Sequence, residues 1–487
     1  MVPNSDVAAA SRLGEALSRA DYTEDAIEEL LGEDAWSSAL EHARTHSRRL
    51  PRDPTGTAIR LFFLELPVPL EEAQRALGKR VVQALERTGL ARTGAKVVPR
   101  ARIAPVDGLL IASDRLSTDP TDDPPNYVST YSPTARLCDL LTPRPRSKRA
   151  LDVGTGNGIH ALLAARHSRA AVATDVNPRA LAFTELNAAL SGLDNVECRR
   201  GSLFEPVEGE RFDLVLCNPP YLISPDSLYA YRDSGMGGDT VSREAVRRAP
   251  DFLVEGGFAH LLVSWIRRED DEWTERLRDW TAESGCDALF LHYQTEKPID
   301  HAESWLAPLA AGPVAEYEGA LDRWLEYFER ERIAAISHGA VMLRRRTAPT
   351  NWTRAEELPT NRLLPASVHV LRIVAAEDFL EGLARPEDLL DEQLALVEAH
   401  ELDQRLAARE GGLGHVHTSL SLEEGLGFVI GIDLETAELL PALDGAASVR
   451  SALAARAEER GIDPDRLAAA ALPVVRRLFE LGFLERL

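Results

Sequence analysis

Four consecutive residues near the middle of the chain have the chemistry needed to hold a planar nitrogen group. They are Asn218, Pro219, Pro220 and Tyr221, and they follow the apolar run 212–217, which predicts a buried strand. The Asn218 side chain offers a carbonyl and an NH2 group, so it can bond both edges of an amide or an exocyclic amine. The prolines stiffen the turn, and Tyr221 offers a flat face for stacking. Because the tetrapeptide alone is also compatible with an ordinary turn, its interpretation depends on what lies upstream.

A glycine-rich turn upstream predicts a cofactor site. The run 149–153 predicts a short buried strand, and residues 159–167 predict a helix. The turn between them consists of Gly154, Thr155, Gly156, Asn157 and Gly158. Strand, glycine turn and helix form the layout in which a backbone approaches a ligand closely. A second predicted strand, 170–174, ends at Asp175, where an acid can accept both hydroxyls of a ribose.

Asp152, the glycine turn, Asp175 and the Asn-Pro-Pro-Tyr sequence, in this order, resemble the class I S-adenosylmethionine-dependent methyltransferases. The spacing fits the branch that methylates planar nitrogens. A Rossmann dehydrogenase is the main alternative for the glycine turn, but its Gly-x-Gly-x-x-Gly pattern places the third glycine later. The segment 229–257 is similar to one in the release-factor glutamine methyltransferases. The resemblance covers the central third to half of the chain.

The resemblance implies S-adenosylmethionine as the cofactor and assigns roles to individual residues. Asp152 is expected to meet the methionine amino group, and Asp175 the ribose. Relatives often carry Asp where this chain has Ser202, so the Ser202 hydroxyl or the Leu203 N–H is expected to bond the adenine instead. The expected cofactor-binding residues are Tyr131, Asp152, Gly154, Thr155, Gly156, Asn157, Gly158, Asp175, Asn177, Ser202, Leu203 and Asn218.

The acceptor is expected to be a planar nitrogen held by Asn218 and the Pro219 carbonyl, with Tyr221 stacked on it. Methyl transfer from a sulfonium needs positioning and the exclusion of water rather than a general base. Arg232 and Asp233, in a glycine-rich stretch, are weaker candidates for substrate contacts, with a surface salt bridge as the alternative.

Composition favours some partners over others. The chain has 487 residues and a formal net charge of −23, which disfavours long nucleic acids and favours a protein, peptide or small-molecule substrate. It has no apolar run long enough to cross a membrane and no signal-peptide pattern at its start. Four scattered cysteines predict reduced thiols in a cytoplasm and argue against a zinc site, so no metal is expected.

Three parts are expected along the chain. Residues 1–115 predict a helical, winged-helix-like domain, and residues 351–487 predict a second, α+β domain of similar character. Residues 116–350 predict the catalytic domain, in which strands alternate with helices around a mostly parallel sheet. The resemblance implies a seven-stranded Rossmann-like sheet whose seventh strand is antiparallel to its neighbours. The oligomeric state stays open.

The best interpretation is an N-methyltransferase that acts on a side-chain amide, Gln or Asn, of a protein or peptide. Two alternatives stay open: methylation of adenine N6, or of another exocyclic amine, in RNA or DNA, and methylation of an amine on a small metabolite. A binding protein that merely retains the fold is disfavoured because the Asn-Pro-Pro-Tyr sequence is intact.

Overall fold

The chain divides into two compact units. A computed structural model describes residues 6–38, 40–117, 126–226, 236–359, 363–409 and 412–487. The first unit comprises Met1–Cys138 and Arg146–Ala355, and the second comprises Asp139–Pro145 and Glu356–Leu487. The expected boundary between residues 115 and 116 lies inside the first unit, and the division into three domains stays a prediction. Among the described residues, no helix is long and apolar enough to span a bilayer.

The first 115 residues form short helices followed by small antiparallel sheets. The elements are α1 (Val7–Arg19), α2 (Glu24–Leu31), α3 (Ala35–Ser38), α4 (Ala43–Arg49), α5 (Pro54–Ala58), a π-helical turn (Ile59–Phe63), β1 (Val68–Pro69), α6 (Leu70–Leu77), α7 (Lys79–Arg87), β2 (Ala91–Thr93), β3 (Lys96–Pro99), β4 (Arg102–Val106) and β5 (Leu109–Ser113). Side-chain oxygens of Asp6, Thr23 and Asp53 cap α1, α2 and α5. Strands β1, β3 and β2 form one sheet in that order, and β4 pairs with β5 as a hairpin.

The following residues alternate between strands and helices. The elements are α8 (Pro133–Leu141), β6 (Ser147–Val153), α9 (Ile159–Ala165), β7 (Ser168–Asp175), α10 (Pro178–Leu190), β8 (Val196–Arg200), a 3-10 turn (Glu205–Val207), β9 (Phe212–Cys217), α11 (Thr240–Arg248), a 3-10 turn (Ala249–Phe252), β10 (Leu253–Arg267), α12 (Glu275–Thr281), β11 (Cys286–Glu296), α13 (Pro298–Leu306), a 3-10 turn (Ala307–Ala311), α14 (Val314–Arg330), β12 (Ala335–Arg345) and β13 (Thr353–Glu357). This alternation produces one mixed sheet covered by helices.

The large sheet has eight strands in the order β13-β11-β12-β10-β9-β6-β7-β8. Strands β8, β7, β6, β9 and β10 run parallel, whereas β12 is antiparallel to both β10 and β11. The antiparallel seventh strand was expected, but the count of seven is wrong because β13 extends the sheet beyond β11. Its sequence, Thr-Arg-Ala-Glu-Glu, lacks the apolar alternation that marks a strand.

The register aligns the carboxyl ends of the central strands. Val153, at the end of β6, pairs with Thr174 of β7 on one side and with Cys217 of β9 on the other. The turns that follow β6, β7 and β9 therefore meet at one edge of the sheet, which is where open parallel sheets bind ligands.

Helix α10 packs against both the sheet and the N-terminal helices. Phe183 and Leu186 of α10 belong to the same buried cluster as Leu13 and Leu17 of α1. The two helices approach closely because position 14 is glycine: a Cβ atom there would lie 1.9 Å from the Leu190 carbonyl oxygen. The N-terminal residues are thus built onto the large sheet through one shared helix.

The second unit combines helices with a separate antiparallel sheet. Beyond Asp139–Pro145 its elements are α15 (Ser367–Gly382), a 3-10 turn (Pro386–Asp391), β14 (Leu394–Leu396), β15 (His400–Arg409), β16 (Gly412–Leu422), β17 (Val429–Ile432), α16 (Leu434–Leu439), a 3-10 turn (Leu440–Ala442), α17 (Val449–Arg460), α18 (Pro464–Glu480) and β18 (Leu484–Arg486). Strands β15, β16 and β17 form one antiparallel sheet, and β14 pairs with β18.

Candidate active site

The glycine turn after β6 adopts a conformation that requires glycine at three positions. Gly154, Gly156 and Gly158 have φ angles of 72°, 57° and 89°, in the region that other residues rarely occupy. The N–H groups of Gly154 and Thr155 both donate to the Thr174 carbonyl at 2.9 Å, which ties the turn to the end of β7. A Cβ atom at Gly154 or Gly156 would meet nothing within 4 Å, so these two residues border open space that a ligand can enter.

Gly158 serves a different purpose from the first two glycines. A Cβ atom there would lie 2.7 Å from Cγ2 of Thr184 in α10. Its absence lets α9 begin directly against α10. The turn therefore keeps two glycines beside open space and one at a helix contact.

Asp152 connects the glycine turn to the start of α9 through hydrogen bonds. Its Oδ2 atom accepts hydrogen bonds from Oγ1 of Thr155 at 2.6 Å and from the N–H of Ala161 at 3.0 Å. The side chain is almost fully buried, and this burial raises the pKa of Asp152 to about 7. The charge of Asp175 raises it as well, whereas the two hydrogen bonds lower it. A cation that approached Asp152 would stabilise its ionised form.

Asp175 ends β7 beside the same turn. Its Oδ2 atom accepts the Gly156 N–H at 3.0 Å, and its Oδ1 atom accepts the Asn177 N–H at 2.8 Å. Burial raises the pKa of Asp175 above its ordinary value. Asn177 in turn caps α10, because its Oδ1 atom accepts the Arg179 N–H at 2.9 Å. Asn177 thus positions the helix that follows the acid.

Asn157 and Asn187 connect the turn to neighbouring elements. The Nδ2 group of Asn157 donates to the Ser129 carbonyl at 2.9 Å. Asn187, in α10, donates to the Asn157 carbonyl at 2.8 Å and exchanges two hydrogen bonds with the backbone of Ala112 in β5. The role of Asn187 could not be predicted from sequence because its partners lie about 30 and 75 residues away.

The remaining expected cofactor residues flank the turn. Tyr131 is partly buried and packs against the cluster that contains Ile159. The Ser202 N–H donates to Glu205 at 3.2 Å. Leu203 has a positive φ of 47°, and its carbonyl accepts a hydrogen bond from Oγ1 of Thr174 at 3.3 Å. The bent backbone after β8 is thereby tied to β7, on the side away from β9.

Asn218–Tyr221 leaves the carboxyl end of β9, next to the end of β6 and beside the middle of β10, which continues to Arg267. The strand's last residue, Cys217, pairs with Val153 of β6 and Leu261 of β10. Asn218 is half-buried and Pro219 is buried. The tetrapeptide and the glycine turn therefore follow adjacent strands at the same edge of the sheet.

Tyr221 lies beside two residues that could not be assigned to the site from the sequence. The side chains of Tyr293 in β11 and Thr134 in α8 interact with its hydroxyl, and burial raises the pKa of Tyr221 well above its ordinary value. A tyrosine at the end of the apolar run 286–293 was the available signal. Arg232 and Asp233, the weaker substrate candidates, lie outside the described residues.

Three family models match parts of the chain. Residues 132–264 match the methyltransferase small domain. Residues 19–102 and 373–486 match two domains of unknown function, DUF7059 and DUF7782. The first match contains the glycine turn, Asp175 and the Asn-Pro-Pro-Tyr sequence.

Curated relatives match the same central segment. A release factor glutamine methyltransferase of Deinococcus radiodurans is 42% identical over 126 residues, which are 23% of this chain and 45% of that protein. A ribosomal protein uL3 glutamine methyltransferase of Bordetella pertussis is 35% identical over 185 residues, 33% of this chain and 61% of that protein. The chain thus spans about half the length of the relatives that it matches.

A solved methyltransferase structure from Pyrococcus furiosus is 16% identical, covers 45% of this chain and 85% of that chain, and has a TM-score of 0.28. The fold assignment rests instead on the observed sheet order and on the family match. Residues 132–264 form a methyltransferase domain that resembles those of the glutamine methyltransferases, a resemblance that implies S-adenosylmethionine as the methyl donor.

Proposed function

We propose that this chain is an S-adenosylmethionine-dependent N-methyltransferase whose acceptor is a side-chain amide, foremost that of glutamine, in a protein or peptide. One observation carries the proposal: the glycine turn follows β6, Asp175 ends β7 and Asn218–Tyr221 follows β9, and the carboxyl ends of these three strands are in register. A donor bound over the turn would have its methyl group directed toward the tetrapeptide.

The described residues fit the donor. Gly154 and Gly156 border open space, which leaves room for a ligand against their backbone. Asp152 would balance the positive amino group of the methionine, and Asp175 would accept the ribose hydroxyls. Bound S-adenosylmethionine supplies an already activated methyl group, so the protein needs to position the acceptor and exclude water.

The acceptor amide would be gripped by Asn218. Its side-chain oxygen and the Pro219 carbonyl would accept hydrogen bonds from the substrate NH2 group, which favours positive charge on nitrogen as the new bond forms. Tyr221 would stack on the amide plane. Tyr293, whose side chain interacts with that of Tyr221, would help to hold the ring in that orientation.

Two observations support a protein substrate. The relatives that match the central segment are named for release factor and ribosomal protein glutamine methylation. The net charge of −23 disfavours long nucleic acids. Four free cysteines suit a reducing compartment, so we place the reaction in the cytoplasm.

The flanking regions would recruit the substrate. The arrangement of α6, α7 and the small sheet β1-β3-β2 suits a winged-helix-like module, and a second such module would be formed within residues 351–487. Modules of this kind are candidates for peptide contacts.

Methyl transfer can be tested with isotope-labelled S-adenosylmethionine and a bacterial lysate. We expect the label to appear on a protein, to be removed by protease but not by nuclease, and to map to glutamine by peptide mass spectrometry. Label that survives protease and is lost with nuclease would establish the adenine alternative, and label only in the small-molecule fraction would establish the metabolite alternative.

Asn218 to Tyr221 are called the acceptor clamp from here on, and Asn218→Ala tests the role of this clamp in the same assay. Because the acceptor loses a hydrogen-bond partner whereas Asp152, Asp175 and the glycine turn are unchanged, we expect turnover to fall by about 10²- to 10³-fold while S-adenosylmethionine still binds. Asn351→Ala is a suitable control, since Asn351 bonds Asp287 and the Arg346 carbonyl, away from the carboxyl ends of β6, β7 and β9. Near-normal turnover in Asn218→Ala would remove Asn218 from the proposed mechanism.

A further inference from the structure

Three side chains with metal-binding atoms converge beside the proposed acceptor clamp. They are Glu296 at the end of β11, His301 in α13 and His338 in β12, and their ligand atoms all lie within 4.8 Å of one another. His301 is fully buried and His338 is nearly so. The cluster is distinct from the glycine turn and Asp175, which follow strands on the other side of β9.

His301 lies between two hydrogen-bond acceptors. Its Nε2 atom is 3.2 Å from the Ile223 carbonyl oxygen, and its Nδ1 atom is 2.9 Å from Oε2 of Glu296. A neutral imidazole has only one N–H group, so it can satisfy only one of these acceptors. When Nε2 donates to Ile223, the Nδ1 lone pair faces the carboxylate, and a cation between the two would make the contact favourable.

His338 presents a second lone pair to the same point. Its Nδ1 atom is 2.7 Å from the Ser264 hydroxyl, whereas its Nε2 atom is buried and has no hydrogen-bond partner in the described part of the chain. That Nε2 atom lies 3.8 Å from Oε2 of Glu296, beyond hydrogen-bonding distance. Metal-binding histidines characteristically donate their other N–H to a nearby oxygen, and both His301 and His338 have such an oxygen.

We infer that Glu296, His301 and His338 bind one divalent transition-metal ion of the zinc class. Two imidazole nitrogens and one carboxylate oxygen form a ligand set that zinc accepts, with one position left open for water or another ligand. Tetrahedral zinc places such ligands roughly 3.4 Å apart, so small side-chain rotations would close the site. This inference goes beyond the proposed methyl transfer and does not depend on it.

A bound metal would stabilise the strands and the helix that lie beside Asn218–Tyr221. The carbonyl that orients His301 belongs to Ile223, two residues beyond Tyr221. The ring of Tyr293, whose side chain interacts with that of Tyr221, stacks on His338 with the centroids 6.3 Å apart. Metal binding would therefore order β11, β12 and α13 around the acceptor side, while the donor side would be unaffected.

The test is metal binding by the full chain, without a histidine tag and after chelator treatment. Titration with Co²⁺ and Zn²⁺ should give one bound ion per chain, visible Co²⁺ absorption of a low-symmetry nitrogen–oxygen site, and a higher unfolding temperature. Glu296→Gln and His338→Ala should abolish these three signals. His42→Ala should leave them unchanged, because His42 forms a separate pair with His46 in and beside α4.

Ser264→Ala guards against misfolded variants, because it keeps all three ligands and removes only the hydroxyl that orients His338. It should weaken metal binding about 10- to 100-fold while S-adenosylmethionine affinity stays unchanged. The inference is overturned if the wild-type chain binds no stoichiometric metal, or if Glu296→Gln binds as tightly as wild type. A metal-free ion pair between protonated His301 and Glu296 would give the first of these results.

Discussion

At the scale of single residues, Asp152 and Asp175 near the glycine turn each have a structural role and a proposed role in ligand binding. Asp152 accepts bonds from Thr155 and Ala161, and Asp175 accepts bonds from Gly156 and Asn177. Each acid therefore stabilises the local backbone through hydrogen bonds. The same carboxylate would also bind a polar group of the ligand. Substituting either one is expected to alter both the turn and ligand binding.

The raised pKa of Asp152 predicts a pH-dependent affinity for S-adenosylmethionine. Burial raises the pKa of this acid to about 7, and a bound cation would favour the ionised form. Affinity should therefore fall as the pH drops below about 7, approaching tenfold for each further pH unit. Calorimetric titration over a pH series measures this. Asp152→Asn should bind more weakly and lose this pH dependence, and an unchanged dependence in that variant would assign it to another group.

The raised pKa of Asp152 also makes the stability of the ligand-free protein depend on pH, in the direction opposite to that of ligand affinity. Because the folded chain holds the Asp152 proton more tightly than the unfolded chain, this acid's contribution is full below its unfolded pKa of about 4. The contribution is lost as the pH rises through about 7. Ligand binding and stability of the ligand-free protein thus respond to pH in opposite directions.

The site residues that could be identified from the sequence are those that act together within one short segment of the chain. Gly154–Gly158 and Asn218–Tyr221 each act within one turn, so their spacing along the chain is enough to recognise them. Tyr293 and the cluster of Glu296, His301 and His338 become interpretable only when β11, α13 and β12 are brought together. The expectation of no metal rested on the scattered cysteines and did not consider His301 and His338, which are 37 positions apart in the sequence and neighbours in the fold.

At the scale of elements, the strands that sequence predicted are the buried ones. Strands β6, β7 and β9 each contain a buried, mostly apolar run of four residues near the carboxyl end, as in sheets that helices cover on both faces. Strand β13 lies at the edge, its residues are exposed or partly buried, and its charged sequence carries no such signal. Edge position thus explains why the eighth strand was missed.

Gly158→Ala is expected to destabilise the junction of α9 and α10. Alanine would be strained at a φ of 89°, and its Cβ would lie 2.7 Å from Thr184. Gly209→Ala is the matched control, because Gly209 has a φ of 80° with nothing within 4 Å of the added Cβ. Each should lose about 1–2 kcal/mol of unfolding free energy through strain, and Gly158→Ala about 1–3 kcal/mol more through the clash. Denaturant unfolding measures both, and equal losses would exclude a packing role for Gly158.

At the scale of the whole molecule, each compact unit has its own sheet. In the first unit the N-terminal helices and the eight-stranded sheet both pack against α10, so the described residues of these two parts belong to one compact unit. The sequence suggested a domain boundary at residue 115 because the composition changes there. Shared burial on one helix leaves no trace in composition, which is why a boundary placed by sequence can fall inside a compact unit.

Gly14→Ala tests the contact between α1 and α10. The added Cβ would lie 1.9 Å from the Leu190 carbonyl oxygen, so the helices would have to move apart. Gly319→Ala, in the exposed part of α14 with nothing within 4 Å, is the matched control. We expect Gly319→Ala to gain about 1 kcal/mol from helix propensity and Gly14→Ala to lose about 1–3 kcal/mol despite the same gain. Urea unfolding measures both, and a stabilised Gly14→Ala would contradict the close packing.

The hydrogen bonds of Asn187 limit how this architecture can be recombined. A single buried amide joins β5 of the N-terminal region to the backbone of the glycine turn. If the methyltransferase domain were grafted into another protein, the buried Asn187 side chain would lose its two hydrogen bonds to β5. If the N-terminal region were grafted, the backbone of Ala112 would lose the same two bonds. The first 115 residues and the methyltransferase domain should therefore be kept together when the protein is engineered.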